Sequence, residues 1–153
     1  MVKILKISEL LNKNFIIDLK ADNKKEALEE LLNIISNNEL ITDKKRFSKE
    51  IFAREKLMST GIGYGIAIPH ARHKSVKDFV LAIGRKKEGI SYESIDDKPI
   101  KLIFMIGASD KQDKDYIKLL SRLVLRLKNH EFVEKLLSAK TNSEMYDLIK
   151  KHK

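Results

Sequence analysis

The segment "GIGYGIAIPHARH", residues 61–73, sets Gly61, Gly63 and Gly65 at every second position, follows them with a short apolar run, and joins Pro69 to His70, with His73 three residues further on. Glycines and histidines in this order invite several chemistries, and spacing separates them. A dinucleotide loop requires G-x-G-x-x-G placed after a strand and at the opening of a helix. Here a helix is expected before the glycines and a strand after them, the reverse order. The i,i+3 spacing of His70 and His73 invites a metal, but Ile-Ala-Ile followed by Pro69 predicts a strand ending at this point, where i and i+3 diverge. A metal would also need a third and a fourth ligand, and the chain has no cysteine and no matching histidine group; no metal is expected. Ser59 or Ser121 would suit a serine-type triad only with a G-x-S-x-G elbow, which does not occur.

What remains is His70 itself as the nucleophile. Neutral imidazole, with a reference pKa near 6.5, is mostly unprotonated at neutral pH and can attack phosphorus directly. The product is a phosphohistidine whose N–P bond passes readily to another acceptor. Such a transfer needs no metal, base or cofactor, only positive charge and N–H donors around the three equatorial oxygens of the moving group. The three glycines permit positive φ and close backbone approach, so their N–H groups can line a small anion pocket; the alternative is an irregular loop with glycine turns. Arg54, in "FARE" at the expected end of a helix, is the nearest arginine able to reach across the loop and grip two phosphoryl oxygens at once. The alternative for Arg54 is a surface ion pair with Glu50 or Glu55.

An alternating plan of elements must position these residues. "NFIIDL" reads as a first strand, followed by a helix from Asn23 to Asn37 with Asn23 and Glu26 in capping-box spacing and Ala27, Leu28, Leu31, Leu32 and Ile35 as one apolar stripe. A second helix is expected from Asp43, its cap, to about Lys56, with Phe47, Ile51 and Phe52 inward. "IAI", "FVLAIG" and "IKLIFMIG" read as strands. The last has hardly any polar alternation, which places it near the middle of a sheet covered by helices on both sides. "KKEGISYESIDDKP" is a polar connection between the second and third of these. Asp113 opens a helix carrying Tyr116, Leu119, Leu120, Leu123 and Leu127, and two short helices follow: Phe132 to Leu137, and one capped by Thr141 with Glu144 in capping-box spacing. The plan is that of a single α/β or α+β sandwich domain over residues 1–153.

Composition narrows the function classes. A chain of 153 residues buries roughly two thirds of its unfolded surface and needs no staples. It has no cysteine, which excludes disulfides, thiolate zinc sites and cysteine nucleophiles and suits a reducing, cytoplasmic setting. The N-terminus carries Lys3, Lys6, Ser8, Glu9 and Asn12, leaving no apolar core of signal-peptide length, and no later stretch approaches a membrane span. The net charge of +9 raises the question of nucleic acid. Its excess is mostly lysine in scattered pairs with acidic neighbours, without clustered arginines or interleaved aromatics, so no nucleic-acid partner is expected.

The stretch "FAREKLMSTGIGYGIAIPHARH", together with "ISELL", "VLAIGRKKEGISY", "KPIKLIFMIGA" and "YIKLLSRLVLRL", resembles the fructose and mannitol type of enzyme IIA, the phosphoryl carrier of the bacterial phosphoenolpyruvate-dependent sugar phosphotransferase system. The resemblance extends over essentially the whole chain. It implies a mixed central sheet with helices on both faces, His70 as the phosphorylated residue and Arg54 as the arginine before the glycine loop. It also implies a histidine-containing phosphocarrier protein as donor, a cysteine on an enzyme IIB partner as acceptor, and contact with the membrane only through the transporter. Many members carry a second histidine at the start of the helix that begins here "KDYIKLLSRL", where this chain has Tyr116. A phenol can donate a hydrogen bond but supplies no imidazolium charge; the alternative for Tyr116 is a half-buried place in the leucine stripe. No site role is expected of His73, just past the motif, of His130 at a helix junction or of His152 in the tail; the alternative for His73 is contact with an incoming partner. Two functions follow from the resemblance: sugar transport, or the nitrogen-regulatory branch, in which partners sense the phosphorylation state of His70 and no sugar is involved.

Overall fold

The least polar run of the chain becomes the strand on which the rest is assembled. The structure, a computed structural model, describes residues 7–151, so His152 lies outside the described residues. In chain order the elements are α1 (Ile7–Leu10), β1 (Ile16–Asp18), α2 (Lys24–Ile35), α3 (Lys44–Leu57), β2 (Gly61–Gly63), β3 (Ile66–Ala67), β4 (His70–Arg72), β5 (Val80–Ile90), β6 (Ile100–Ala108), α4 (Asp113–Leu127), α5 (His130–Ser138) and α6 (Asn142–Lys151). They form a six-stranded mixed sheet in the order β1-β5-β6-β3-β2, with β4 also paired to β6. β5 runs antiparallel to β6, β1 parallel to β5, and β3 and β4 both parallel to β6.

Alternation along the central strands divides the core into two. Leu81, Ile83, Leu102, Phe104 and Ile106 pack on one face with α4, α5 and α6, through Leu119, Leu123, Leu136, Met145 and Ile149. Val80, Ala82, Ile103 and Met105 point the other way, onto Leu28, Leu31 and Ile35 of α2 and Phe47 and Ile51 of α3. A strand apolar at nearly every position is therefore covered twice, as the missing polar alternation in "IKLIFMIG" predicts. Each of the Val, Leu, Ile, Phe and Met side chains contributes on the order of 1.5–3 kcal/mol of burial. The α/β sandwich with a mixed sheet and helices on both faces is the fold observed.

Helix starts follow their expected caps. The side chains of Asn23 and Asp43 accept the backbone N–H groups of Glu26 and Arg46, and Thr141 Oγ1 accepts that of Glu144. Several boundaries differ from the sequence reading. Residues 13–15 form a 3-10 turn, leaving only Ile16–Asp18 as strand. Phe52 packs inward as expected but only half-buried, at the rim of the core. "KKEGI" continues β5 to Ile90 instead of opening a loop, because β5 shifts register against β6 between Arg85 and Ile90 and Gly89 takes a φ of 87°. Arg85 is 2% exposed; it pairs with Asp18 of β1 at 2.7 Å and donates to the Leu136 and Ala139 carbonyls at 2.9 and 2.7 Å, tying the sheet to the end of α5. No helix among the described residues is long and apolar enough to cross a membrane.

Candidate functional site

His70 follows the end of one strand, β3, and opens the next, β4. β3 and β4 lie one after the other along the same edge of β6, Ile66 and Ala67 opposite Leu102 and Ile103, then His70 opposite Ile106. Between them the chain breaks at Ile68 and Pro69. Pro69 has no N–H to donate, but its carbonyl accepts the Ile106 N–H at 3.0 Å, so the ladder resumes at once. The break turns the Ile68 carbonyl toward the histidine ring, and His70 Nδ1 lies 2.6 Å from that oxygen. A carbonyl can only accept, so Nδ1 carries the proton and Nε2 keeps a free lone pair. Burial does most to pull the His70 imidazole below the ordinary histidine value of 6.5, and the hydrogen bond to Ile68 opposes it. The charge of Arg54 acts with burial and that of Glu55 against it. The ring is neutral at neutral pH.

Beside His70, at the edge of the sheet between α3 and the first turn of α4, lies a cavity of about 320 Å³ lined in part by Glu50, Arg54, Leu57, His70, Arg72 and Tyr116. Arg54 sits in the last turn of α3, where its Nη1 donates to the Met58 carbonyl at 2.6 Å. The alternative for Arg54, an ion pair with Glu50 or Glu55, is not formed: Glu50 approaches Arg46 at 4.0 Å and His73 at 3.8 Å, and Glu55 pairs with Lys24 at 2.9 Å. Tyr116 fills both of its expected places. It packs against the leucine core of α4, and its ring stands 5.8 Å from the His70 ring at 56°. Burial pushes its phenol up to about 12, with Arg54 and Arg72 pulling weakly the other way, so the hydroxyl keeps its proton.

The glycines are placed differently from the anion pocket expected of them. Gly61 and Gly63 donate their N–H groups to Ser59 Oγ at 3.2 Å and Ser94 Oγ at 3.1 Å, and none of the three glycines lines the cavity beside His70. They serve a hairpin between β2 and β3: Gly63, Tyr64 and Gly65 have φ of 93°, 58° and 79° in succession. At Gly61 a Cβ would lie 2.4 Å from the Glu93 carbonyl oxygen. His73 lies apart from the His70 cavity, its Nδ1 2.9 Å from Ser75 Oγ. His130 opens α5 with its ring edge-on to Tyr64 at 4.6 Å. Among the described residues no cluster of three or more metal-binding side chains occurs.

Two residues of the site escaped the sequence reading. Glu55, 7% exposed, accepts from the Tyr92 hydroxyl at 2.7 Å and from both the N–H and the hydroxyl of Thr60, and the Thr60 carbonyl accepts the Ile68 N–H at 3.0 Å. It thus ties the end of α3 to the strand that leads into His70. Its neighbour in "RE" drew attention, but a buried glutamate has no sequence signal of its own. Arg72 shares the cavity with His70 and forms an ion pair with Asp113 at the start of α4. Its signal is the i,i+2 spacing from His70, which puts both on one face of a strand only if the strand begins at His70.

Comparison with known proteins identifies the family and the fold. Residues 9–152 match the family described as "Phosphoenolpyruvate-dependent sugar phosphotransferase system, EIIA 2". The fructose-specific EIIABC component of the phosphotransferase system of Bacillus subtilis is 36% identical over 149 residues, 97% of this chain, and the chain spans 24% of that relative's length. The crystal structure of the nitrogen regulatory protein IIA-Ntr from Neisseria meningitidis superposes with a TM-score of 0.86 at 30% identity, covering 94% of this chain and 98% of that one. The Escherichia coli complex of enzyme IIA mannitol with phosphorylated enzyme IIB mannitol shares the fold, with a TM-score of 0.78 at 21% identity, covering 91% and 96% of the two chains. The chain belongs to the EIIA 2 family of the phosphoenolpyruvate-dependent sugar phosphotransferase system.

Proposed function

We propose that this chain is the phosphoryl-carrying IIA component of a sugar phosphotransferase system. In this reading His70 Nε2 accepts a phosphoryl group from the phosphohistidine of a histidine-containing phosphocarrier protein and passes it to a cysteine of an enzyme IIB protein or domain. The observation that carries the reading is the 2.6 Å contact of Nδ1 with the Ile68 carbonyl, which leaves Nε2 as a neutral nucleophile beside a cavity holding Arg54. In the first step Nε2 forms its bond to phosphorus as the donor's N–P bond breaks, and that electron pair stays with the donor ring. In the second a thiolate sulfur bonds to phosphorus and the N–P pair returns to Nε2. The proton stays on Nδ1, donated to the Ile68 carbonyl throughout, so His70 neither gains nor loses one. Arg54 grips the equatorial oxygens, and the Tyr116 phenol is a neutral donor where many members have a second histidine.

The fructose-specific relative supports fructose or a related hexose as the sugar class, with the hexitol mannitol suggested by the mannitol complex, which also supports enzyme IIB as acceptor. The protein works in the cytoplasm and meets the membrane only through its transporter. The likeness to the nitrogen regulatory protein favours a second reading, in which His70 is still phosphorylated but a partner reads its state and no sugar is carried. The discriminating experiment phosphorylates the purified protein through the phosphocarrier and offers it sugar-specific IIB proteins. Rapid transfer to one of them is expected; a phosphoprotein that no IIB discharges overturns the transport reading in favour of the regulatory one.

A further inference from the structure

A phosphoryl group on His70 brings about 1.5 to 2 negative charges into the cavity. The cations there must balance that charge and the carboxylate of Glu50, which shares the cavity. Arg54 brings one positive charge, and its Nη1 is already engaged by the Met58 carbonyl. One guanidinium leaves the dianion under-compensated. Arg72 is the other cation lining the cavity. It stands two residues from His70 on the same face of β4, a rise of roughly 7 Å, with Ala71 between them turned into the core. In the unphosphorylated protein its guanidinium is held by Asp113, in a pair whose side chains are 37% and 68% exposed. Exposed pairs of this kind are held weakly and rearrange readily, and a phosphoryl group offers a guanidinium more charge and a bidentate set of oxygens.

We propose that Arg72 is a second guanidinium ligand of the phosphoryl group, held on Asp113 while His70 is free and transferred to the phosphoryl oxygens when they arrive. The inference rests on the reading of His70 as the phosphoryl carrier. It makes Asp113 a competitor for Arg72, so the two members of one ion pair have opposite effects on the reaction.

The test is single-turnover transfer of labelled phosphoryl from the phosphocarrier protein, followed over a range of donor concentrations, for wild type, Arg72→Gln, Arg72→Lys and Asp113→Asn, with melting curves to verify the fold. Arg72→Gln is expected to lower the limiting rate at saturating donor by about ten- to a hundredfold. Arg72→Lys, which lacks the planar fork, should recover only part of it. Asp113→Asn, which frees the guanidinium, should give a limiting rate no lower than wild type. An unchanged limiting rate in Arg72→Gln overturns the proposal, as does a change confined to the donor concentration at half-maximal rate, which marks a docking contact. Equal losses in Arg72→Gln and Asp113→Asn also overturn it, because they mark an ion pair that only holds β4 against α4. Wild-type protein that takes no label on His70 defeats the carrier reading itself, a separate outcome from any of these.

Discussion

An imidazole can present either nitrogen to a reactant, and at His70 the Ile68 carbonyl decides between them without help from another ionisable side chain. The same burial that holds the ring in place pulls its pKa below 6.5, so the unfolded chain is easier to protonate at this position than the folded one. The nucleophilic form therefore survives into mildly acidic solution. The rate of phosphoryl uptake is expected to reach half its plateau at a pH below 6.5, measured by rapid quench with buffers crossing that value; a half-point above 6.5 contradicts the burial argument. Arg54 differs from a lysine by its fork. Arg54→Lys should fold normally yet slow transfer by about tenfold or more, since an ammonium cannot hold two oxygens in one plane. A wild-type rate in that variant would remove Arg54 from the mechanism. Tyr116, whose hydroxyl stays protonated, tests the missing second histidine: kinetics unaltered in Tyr116→Phe would leave its ring as packing alone.

At the scale of elements, what the sequence made legible is what depends on local pattern. The stripes of α2 and α4, the caps at Asn23, Asp43 and Thr141, and the doubly buried β6 all follow from periodicity and side-chain chemistry within one segment. His70 and Arg54 stood out because their motif is specific. Illegible were features set by partners distant in sequence. The glycine spacing fitted an anion pocket as well as a hairpin, and only the approach of residues 93–96 shows that the Gly63 amide meets Ser94 and its neighbour Tyr64 meets Asp96. The strand boundary at His70 depends on β6, which is 30 residues later, and with it went the one cue to Arg72. Gly61 is the element-level test. A Cβ there would collide with the Glu93 carbonyl and the Ser94 backbone, so Gly61→Ala should destabilise the fold by about 1–3 kcal/mol in denaturant titration. Wild-type stability would mean that the 93–94 segment yields freely.

Over the whole molecule, the two cores are joined through a sheet whose far edge carries the site, and Arg85 fastens that sheet to one helical layer. Its guanidinium is buried among carbonyls of α5 and the segment after it and pairs with the exposed Asp18. Truncation would leave those acceptors unpaired in the core. Arg85→Ala is expected to cost about 3 kcal/mol or more, read as a lowered melting temperature, although Arg85 shares no cavity with His70; an unshifted melting temperature would show that water replaces it. The proposed phosphoryl transfer, by contrast, converges on a single ring nitrogen. The most direct measurement is incorporation of labelled phosphate from phosphoenolpyruvate through the upstream phosphocarrier into wild type and His70→Ala. The account predicts acid-labile label in the wild type, mapped to His70, and none in the variant; acid-labile label retained by His70→Ala contradicts it.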